Sequence, residues 1–415
     1  ILAPILLFFI FFAGMAIIQF STPNLPDNDG FYHIKFASLM RTEGLKPDFP
    51  WLPLTILNER DFYDHHFLFH VALIPFTFGD LLTGAKWAAV TFSSLAFMGV
   101  WYLLHRQRIP AAWLWAAALI GISDAFLYRM SITRAQSLSL GVLALGLLWT
   151  LEGKYKHLAV LSFFYVWMYN AFPLMLVLAG TQVAVVFILE RRVDIRPILW
   201  VGIGIFAGLI INPYFPNNLI FTYHHYLPKL TDIESVRVGN EWYPYDTGQL
   251  LDNSLPALIA FVGGAFALGL SGRKMDSRTM VSFFLALFFG LMLFKARRFV
   301  EYFPPFALIF AAFAFAPLLN ERTNFDFKPF NLSALSKNGF VLLLAVGVIL
   351  GIITSIPAAQ VQMARSKPAG LYQDASAWLA ENSAEGERVF QTDWDDFPRL
   401  FFYNTHNTYL AGLDP

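Results

Sequence analysis

Apolar residues run along most of this chain in blocks long enough to cross a membrane, whose hydrocarbon core of about 30 Å takes roughly 20 helical residues. The blocks fall near 1–20, 84–104, 110–127, 136–151, 158–171, 173–189, 197–212, 253–270, 279–294, 302–318 and 339–357. They predict an all-α polytopic membrane protein with about eleven transmembrane helices. The run "HFLFHVALIPFTFGDLL" at 66–82 is shorter, holds two histidines and is broken by Pro75 and Gly79. It reads as a helix lying in the membrane interface. Beyond 357 the pattern changes. An amphipathic helix from Ala375 to Glu381, a turn at Glu385-Gly386 and two strands, "RVFQT" and "LFFYN", are predicted. This is the start of a soluble α/β segment, truncated at residue 415. The chain thus divides into a transmembrane domain, 1–357, with outer loops 21–83 and 213–252, and an outward-facing segment, 358–415.

Composition agrees: 57% of residues are hydrophobic and 14% charged, against about 25% charged in soluble domains. Zero net charge gives no reason to expect a nucleic-acid partner, and zero cysteines exclude disulfides and thiol chemistry. Residues 1–20 read as a retained span, because "MAIIQFSTPN" lacks a small-x-small cleavage pattern. With 66–82 kept outside, "HRQR", "EGKYK", "ERRVDIR", "SGRKMDSR" and loop 320–338 share one face and hold 13 of the 29 Lys and Arg. The positive-inside rule makes that face cytoplasmic. The opposite, outer face carries the long loops, the tail and most of the acids. It belongs to a plasma or inner membrane, and function is expected there.

Several outer motifs carry chemistry. "LPDNDGFYHIKFASLM" places Asp27 and Asp29 just after the first span, with His33 one helical turn beyond Asp29. Two such carboxylates suit a general base or a divalent-cation site, and Asp also caps helices. In "RDFYDHHFLFH", His66 and His70 share a helical face and Asp64 is close, a candidate ligand set for Mg, Mn or Zn or else polar residues of an interfacial helix. Loop 213–252 interleaves His224, His225, Asp232, Glu234 and Glu241 with Trp242 and Tyr243. That mixture suits sugar hydroxyls and C–H faces, a mobile flap, or interfacial anchoring.

"KARRFVEYF" at 295–303 breaks the charge rule, since it sets Lys295, Arg297 and Arg298 on the outer face, with Arg129 and Arg134 on another outer turn. Glu301, four residues from Arg297, can neutralise that arginine as a surface pair. For the rest, a membrane-anchored phosphate is the natural counter-ion, because guanidinium forks bind phosphate oxygens bidentately; snorkelling to the headgroups is the plainer alternative.

Taken together, this layout resembles the GT-C membrane glycosyltransferases, which use polyprenyl-phosphate-linked sugars. "DNDGFYHIKFASLM" is similar to the first-loop signature of the catalytic subunit of oligosaccharyltransferase, "WLAENSAEGERVFQTDWDDF" to its tail motif, and "TDIE" (231–234) to its flap motif. The resemblance implies that Asp29, with Asp27, is the catalytic or metal-binding acid and that Glu234 is the flap acid. It also implies acceptor contacts at Trp394 and Asp395, to which the aromatic loop adds Trp242, and a donor-phosphate site at Arg298, Arg297, Lys295 and Arg134. The family's second acidic motif is missing: "YRMSITRAQSLSL" has Arg134-Ala135-Gln136 there. The tail has Asp393 for a Trp and Asp396-Phe397 for Tyr-Gly. The implied activity is transfer of a sugar or oligosaccharide from a polyprenyl-(di)phosphate donor to a protein, lipid or glycan acceptor on the outer face. The alternative is a transporter with an acidic outer vestibule, which requires mid-membrane charges or paired helix breaks.

Overall fold

The computed structural model describes residues 2–231, 239–272, 274–320 and 332–413. The first apolar block is α1 (Leu2–Gln19), and the following loop folds into α2 (Asp29–Glu43) and α3 (Phe67–Leu73). Next come α4 (Leu81–Arg106), the short α5 (Ala112–Ala117) and α6 (Asp124–Met130), then α7 (Gln136–Leu151), α8 (Tyr155–Met168), α9 (Leu174–Glu190) and α10 (Arg196–Ile210). The second long loop holds α11 (Asn217–Thr231), and the bundle closes with α12 (Thr247–Ser271), α13 (Ser277–Lys295), α14 (Phe303–Asn320) and α15 (Leu332–Ala364). The tail contributes α16 (Gln373–Asn382), β1 (Arg388–Val389), α17 (Phe397–Tyr403) and β2 (Thr408–Tyr409), the strands pairing in parallel.

Among the described residues, four helical stretches are long and apolar enough to cross a membrane: α4, α12, α13 and Val341–Ala364 of α15. Helices α7, α9, α10, most of α1 and most of α14 are apolar and shorter. The protein is an integral membrane protein, almost wholly helical. Its helices pair as α8 with α10, α12 with α14, α4 with α7 and α13 with α14.

Three elements differ from the sequence expectation. The block 110–127 is not one helix but is broken at 121–123, where the Ser123 side chain accepts the Phe126 N–H and starts α6 as an N-cap. The break lets the backbone of Gly121 meet that of Gly351 in α15; a Cβ on Gly121 would lie 2.8 Å from the Gly351 carbonyl carbon. The run 66–82 is not one helix: α3 stops at Leu73, a 3-10 turn follows at Ile74–Phe76 and α4 begins at Leu81, with Phe67 against Trp167 and Tyr214, Phe69 against His33 and Phe92, and Phe78 exposed. Finally, "LFFYN" belongs to a helix, α17, and not to a strand. Pro398 sits in its first turn, where a missing N–H costs nothing, and Phe401 packs on Trp51 at 4.8 Å.

That last contact matters for the site. Trp51 Nε1 donates to Thr405 O at 2.8 Å, and Tyr409 N donates to Trp51 O at 2.8 Å. The fully buried Phe397 and Phe401 fill the space between α17 and the first loop. The tail is therefore fastened to the loop that carries Asp27 and Asp29.

The Gly121–Gly351 crossing yields a stability prediction. Gly121→Ala puts a methyl where backbone already stands, so it should destabilise the bundle by about 1–3 kcal/mol, the usual range for overpacking. A lowered thermal midpoint in detergent is the expected readout. An unchanged midpoint would mean that the two backbones are not in close contact.

Candidate active site

Five segments distant in sequence meet at one end of the bundle: the start of α2, the end of α6 with the turn after it, residues 240–242, residues 297–301 and residues 394–396. What joins them is charge. Arg134 donates from Nη1 to Asp27 Oδ2 at 3.2 Å and to Glu241 Oε2 at 3.2 Å, and from Nη2 to Asp29 Oδ2. Arg129 donates to Glu241 Oε2 at 2.8 Å and, from Nε, to Glu301 Oε1 at 2.6 Å. Arg298 reaches Glu241 Oε1 at 3.3 Å, donates to the Tyr169 hydroxyl at 2.8 Å and lies 4.4 Å over the Trp242 ring. One carboxylate, Glu241, thus bridges three guanidiniums. Burial alone would raise its pKa, but Arg298, Arg129 and Arg134 together hold it well below the usual glutamate range.

Asp29 opens α2, a favourable position for an acid, yet neither aspartate caps the helix through its side chain. The N-cap residue is Asn28, and Asp27 accepts only the adjoining Asn28 N–H, at 2.7 Å. Asn28 instead ties the tail down. Its Nδ2 donates to Asp395 Oδ2 at 2.5 Å and to Asp395 O at 2.9 Å, while its Oδ1 accepts from Arg399 Nε at 2.6 Å. Arg399, almost wholly buried, lies 4.1 Å over the Phe31 ring. These bonds bring Asp395 to the first-loop acids, so that Asp27, Asp29 and Asp395 each offer an oxygen within 4.8 Å of the others. Burial first, and then Asp27, push Asp395 up to about 6.

This oxygen-only cluster is the group close enough to share a cation among the described residues. It fits Mg2+ or Mn2+ better than Zn2+, which favours nitrogen and sulfur. Asp64, His66 and His70 are not brought together as ligands. Asp64 Oδ2 accepts from His70 Nδ1 at 2.8 Å, and His70 Nε2 lies 2.7 Å from His33 Nδ1, so the histidine that pairs with His70 is the one in α2. The ring of His66 lies 6.1 Å from that of His70 and stacks on Tyr169. Burial pushes His33 well below its usual range, with His70 and His65 adding to the effect.

The other expected residues separate. Arg297 is engaged by the Pro244 carbonyl at 3.1 Å and the Tyr245 ring at 5.3 Å, and Lys295 is exposed at the end of α13. The expected Arg297–Glu301 pair is replaced by Arg129–Glu301. Residues 297–301 form a 3-10 helix, whose three residues per turn move position i+4 off the face of i. Trp394 is half-buried, one position before Asp395. Glu234 lies outside the described residues. Glu301 is fully buried and belongs to the site with Arg129. The sequence shows both as charges at the ends of apolar runs, but not that they meet.

Asp395 gives a pH prediction. A carboxyl whose folded pKa is raised contributes stability that is fully present below its unfolded value of 3.8 and is lost as pH rises through about 6. Asp395→Asn keeps an acceptor for Asn28 and cannot ionise. Its thermal midpoint should therefore fall less than that of wild type between pH 4 and pH 6, as read by thermal unfolding across that window. Parallel curves would remove the raised pKa from the argument.

No family model matches the chain, and no curated protein matches it by sequence. Solved structures do. The archaeal oligosaccharyltransferase AglB from Archaeoglobus fulgidus, in complex with an inhibitory peptide and a dolichol-phosphate, superposes with a TM-score of 0.70 at 14% identity over 99% of this chain. ArnT from Cupriavidus metallidurans, bound to undecaprenyl phosphate, gives 0.58 at 14% identity over 97% of this chain and 85% of its own. The mycobacterial arabinofuranosyltransferase AftD gives 0.54 at 15% identity over 97% of this chain and 31% of its own. The chain spans 64% of the length of AglB. Over nearly its whole length, then, this protein has the fold of the GT-C membrane glycosyltransferases.

Proposed function

We propose that the protein transfers a sugar from a polyprenyl-phosphate-type donor to an acceptor on the outer face of the membrane, at the site where the three arginines meet Asp27, Asp29 and Asp395. The observation that carries this reading is the cluster itself. Three largely buried guanidiniums converge on one bridging anion, and one of them, Arg134, also holds Asp27 and Asp29, an arrangement suited to a phosphate leaving from a sugar. The solved neighbours that hold dolichol-phosphate or undecaprenyl phosphate have the same fold. An apolar groove lined by Leu250, Phe261, Leu291, Phe294 and Phe303 runs between α12, α13 and α14. It suits part of an isoprenoid chain, and Lys295 follows Phe294 in the chain at the end of α13.

The roles follow from position. The acceptor's nucleophilic atom attacks the anomeric carbon, the bond from that carbon to the phosphate oxygen breaks, and its electron pair stays on the lipid phosphate. The acceptor's proton passes to Asp29, with Asp395 as the second carboxylate at hand. Arg134 links the two events. Protonation of Asp29 weakens its hold on Arg134, whose charge is then free for the phosphate as it becomes more negative. Arg298 and Arg129 meet the same phosphate from the other sides, and Trp242 and Trp394 flank the site as surfaces for the acceptor or the sugar. Asp27, Asp29 and Asp395 would hold a divalent ion, which would supply further charge neutralisation at the phosphate when bound.

Mass spectrometry of the purified protein tests the donor class: a co-purifying polyprenyl-phosphate lipid is expected, and its absence from wild type when other membrane lipids are retained would count against the reading. Asp29→Asn leaves Arg134 paired with Asp27 and Glu241, so it should lower the thermal midpoint only modestly while lowering turnover by about 10²–10⁴, the range for a general base. Arg298→Lys keeps the charge but cannot bond Tyr169 and Glu241 together while stacking on Trp242. Donor binding should weaken by about tenfold despite the conserved charge, and equal affinity in zwitterionic nanodiscs would return Arg298 to a purely structural role. Because native cysteines are absent, a cysteine at the exposed Asn240 reports the orientation. Labelling by an impermeant reagent in intact cells is expected, and labelling only after lysis would invert the topology.

A further inference from the structure

The arginine cluster already contains an anion, the carboxylate of Glu241. Its Oε2 accepts from Arg129 at 2.8 Å and Arg134 at 3.2 Å, and its Oε1 faces Arg298 at 3.3 Å. Two equivalent oxygens sharing one negative charge, gripped from opposite sides by guanidiniums, are also what a phosphodiester presents through its two non-bridging oxygens. The other two arginines do not depend on Glu241. Arg129 retains Glu301, and Arg134 retains Asp27 and Asp29. For Arg298, Glu241 is the ion-pair partner among the described residues, its remaining contacts being the Tyr169 hydroxyl and the Trp242 ring.

We infer that Glu241 is a resident mimic of the donor phosphate, which occupies the phosphate seat and must leave it for the donor to bind, so that the exchange favours a donor with a single, singly charged phosphate. The inference rests on reading the arginine cluster as that seat. With Glu241 in place, three arginines face four carboxylates: Glu241, Glu301, Asp27 and Asp29. Removal of Glu241 leaves three against three and opens Arg298. A sugar–phosphate–polyprenyl diester restores the original count charge for charge. A diphosphate brings additional negative charge beside Asp27 and Asp29, which like-charge repulsion opposes. After transfer the lipid keeps the electron pair of the broken bond and becomes a phosphate monoester with a charge near −2. Return of Glu241 to the seat then competes with this product and favours its release.

Glu241 also has a position from which it can leave. It sits in the single 3-10 turn Asn240–Trp242, on the second long outer loop rather than on a packed helix, and its side chain is about one-fifth exposed, at 22%. Glu301 makes the contrast, since it is fully buried.

The test uses the full chain in zwitterionic nanodiscs with two probes, farnesyl methyl phosphate (a phosphodiester) and farnesyl diphosphate. Removing an internal competitor should tighten binding. Glu241→Gln is expected to bind the diester about tenfold more tightly than wild type, Arg298→Ala to lose it, and wild type to prefer the diester to the diphosphate. A second readout leaves Glu241 intact: a fluorophore on Asn240→Cys should change signal on addition of the diester. Equal or weaker diester binding by Glu241→Gln, with wild type binding well, would overturn the mimicry while leaving the phosphate seat standing. So would a silent fluorophore at saturating diester. A wild-type preference for the diphosphate would overturn the charge selection. Failure of every form to bind either probe, or full binding by Arg298→Ala, would remove the phosphate seat and the inference with it.

Discussion

Burying three guanidiniums at the end of an apolar helix bundle is the constraint to which the rest of the structure answers. A guanidinium withdrawn from water without a partner costs several kcal/mol, and breaking a buried pair costs about 3–5 kcal/mol. Each arginine therefore needs a carboxylate, and the carboxylates come from far along the chain: Glu301 and Glu241 for Arg129, the first-loop aspartates for Arg134, and Glu241 again for Arg298. Satisfying these charges fixes the positions of α2, α6, the second long loop and the turn after α13 relative to one another. The geometry that makes the arginines tolerable is also the one on which the proposed phosphate chemistry rests.

The bundle beneath is held differently. Lipid tails are as apolar as leucine, so helices in a membrane associate through close packing rather than by escaping water. The Gly121–Gly351 contact shows what this demands: two backbones touch where α15 passes the break before α6, and neither position has room for a side chain. Above the bundle the logic changes again. The first loop and the tail join through a core of aromatic rings, among them Phe49, Trp51, Phe397 and Phe401, whose burial from water drives the fit. The break before α6 and this aromatic core bring Arg129 and Asp395 into the neighbourhood of Asp27.

Helical blocks were legible because hydrophobic length is a local property. Ten of the eleven blocks, all but 110–127, contain one long helix. The exception was misread because Ser123 and Gly121 signal a cap and a close crossing only once α15 is known to pass there. "LFFYN" misled for a related reason, since a run of aromatics has strand propensity whereas packing against Trp51 and the first loop decides for helix. Within the site, Asp27, Asp29, Arg134, Arg298 and Trp242 could each be picked out by chemistry and spacing, and Asp395 only through the family resemblance, which assigned it to the acceptor. Their partners could not. Glu241 lies 112 residues from Arg129, and Glu301 lies 172 from it. No local pattern reports pairing at that range. His66 and His70 show the opposite error, in which convincing spacing is overruled by a third histidine, His33, from another helix.

Arg134 stands where the resemblance to oligosaccharyltransferases calls for an acid. Its guanidinium enters between Asp27 and Asp29, and the third carboxylate of the cluster comes from the tail as Asp395. A divalent ion held by all three acids would weaken their hold on Arg134, because a metal cation and a guanidinium sharing the same carboxylates repel one another. Occupation by such an ion would push the guanidinium toward Glu241 and the phosphate seat, a few ångströms away on the same side chain's reach. On the proposed function, metal and donor would act on the same arginine: whatever loosens Arg134 from the aspartates would strengthen the positive charge facing the phosphate. An arginine in place of an acid at this turn would thereby couple the carboxylates to the proposed phosphate seat, the state of the acids setting the charge presented there.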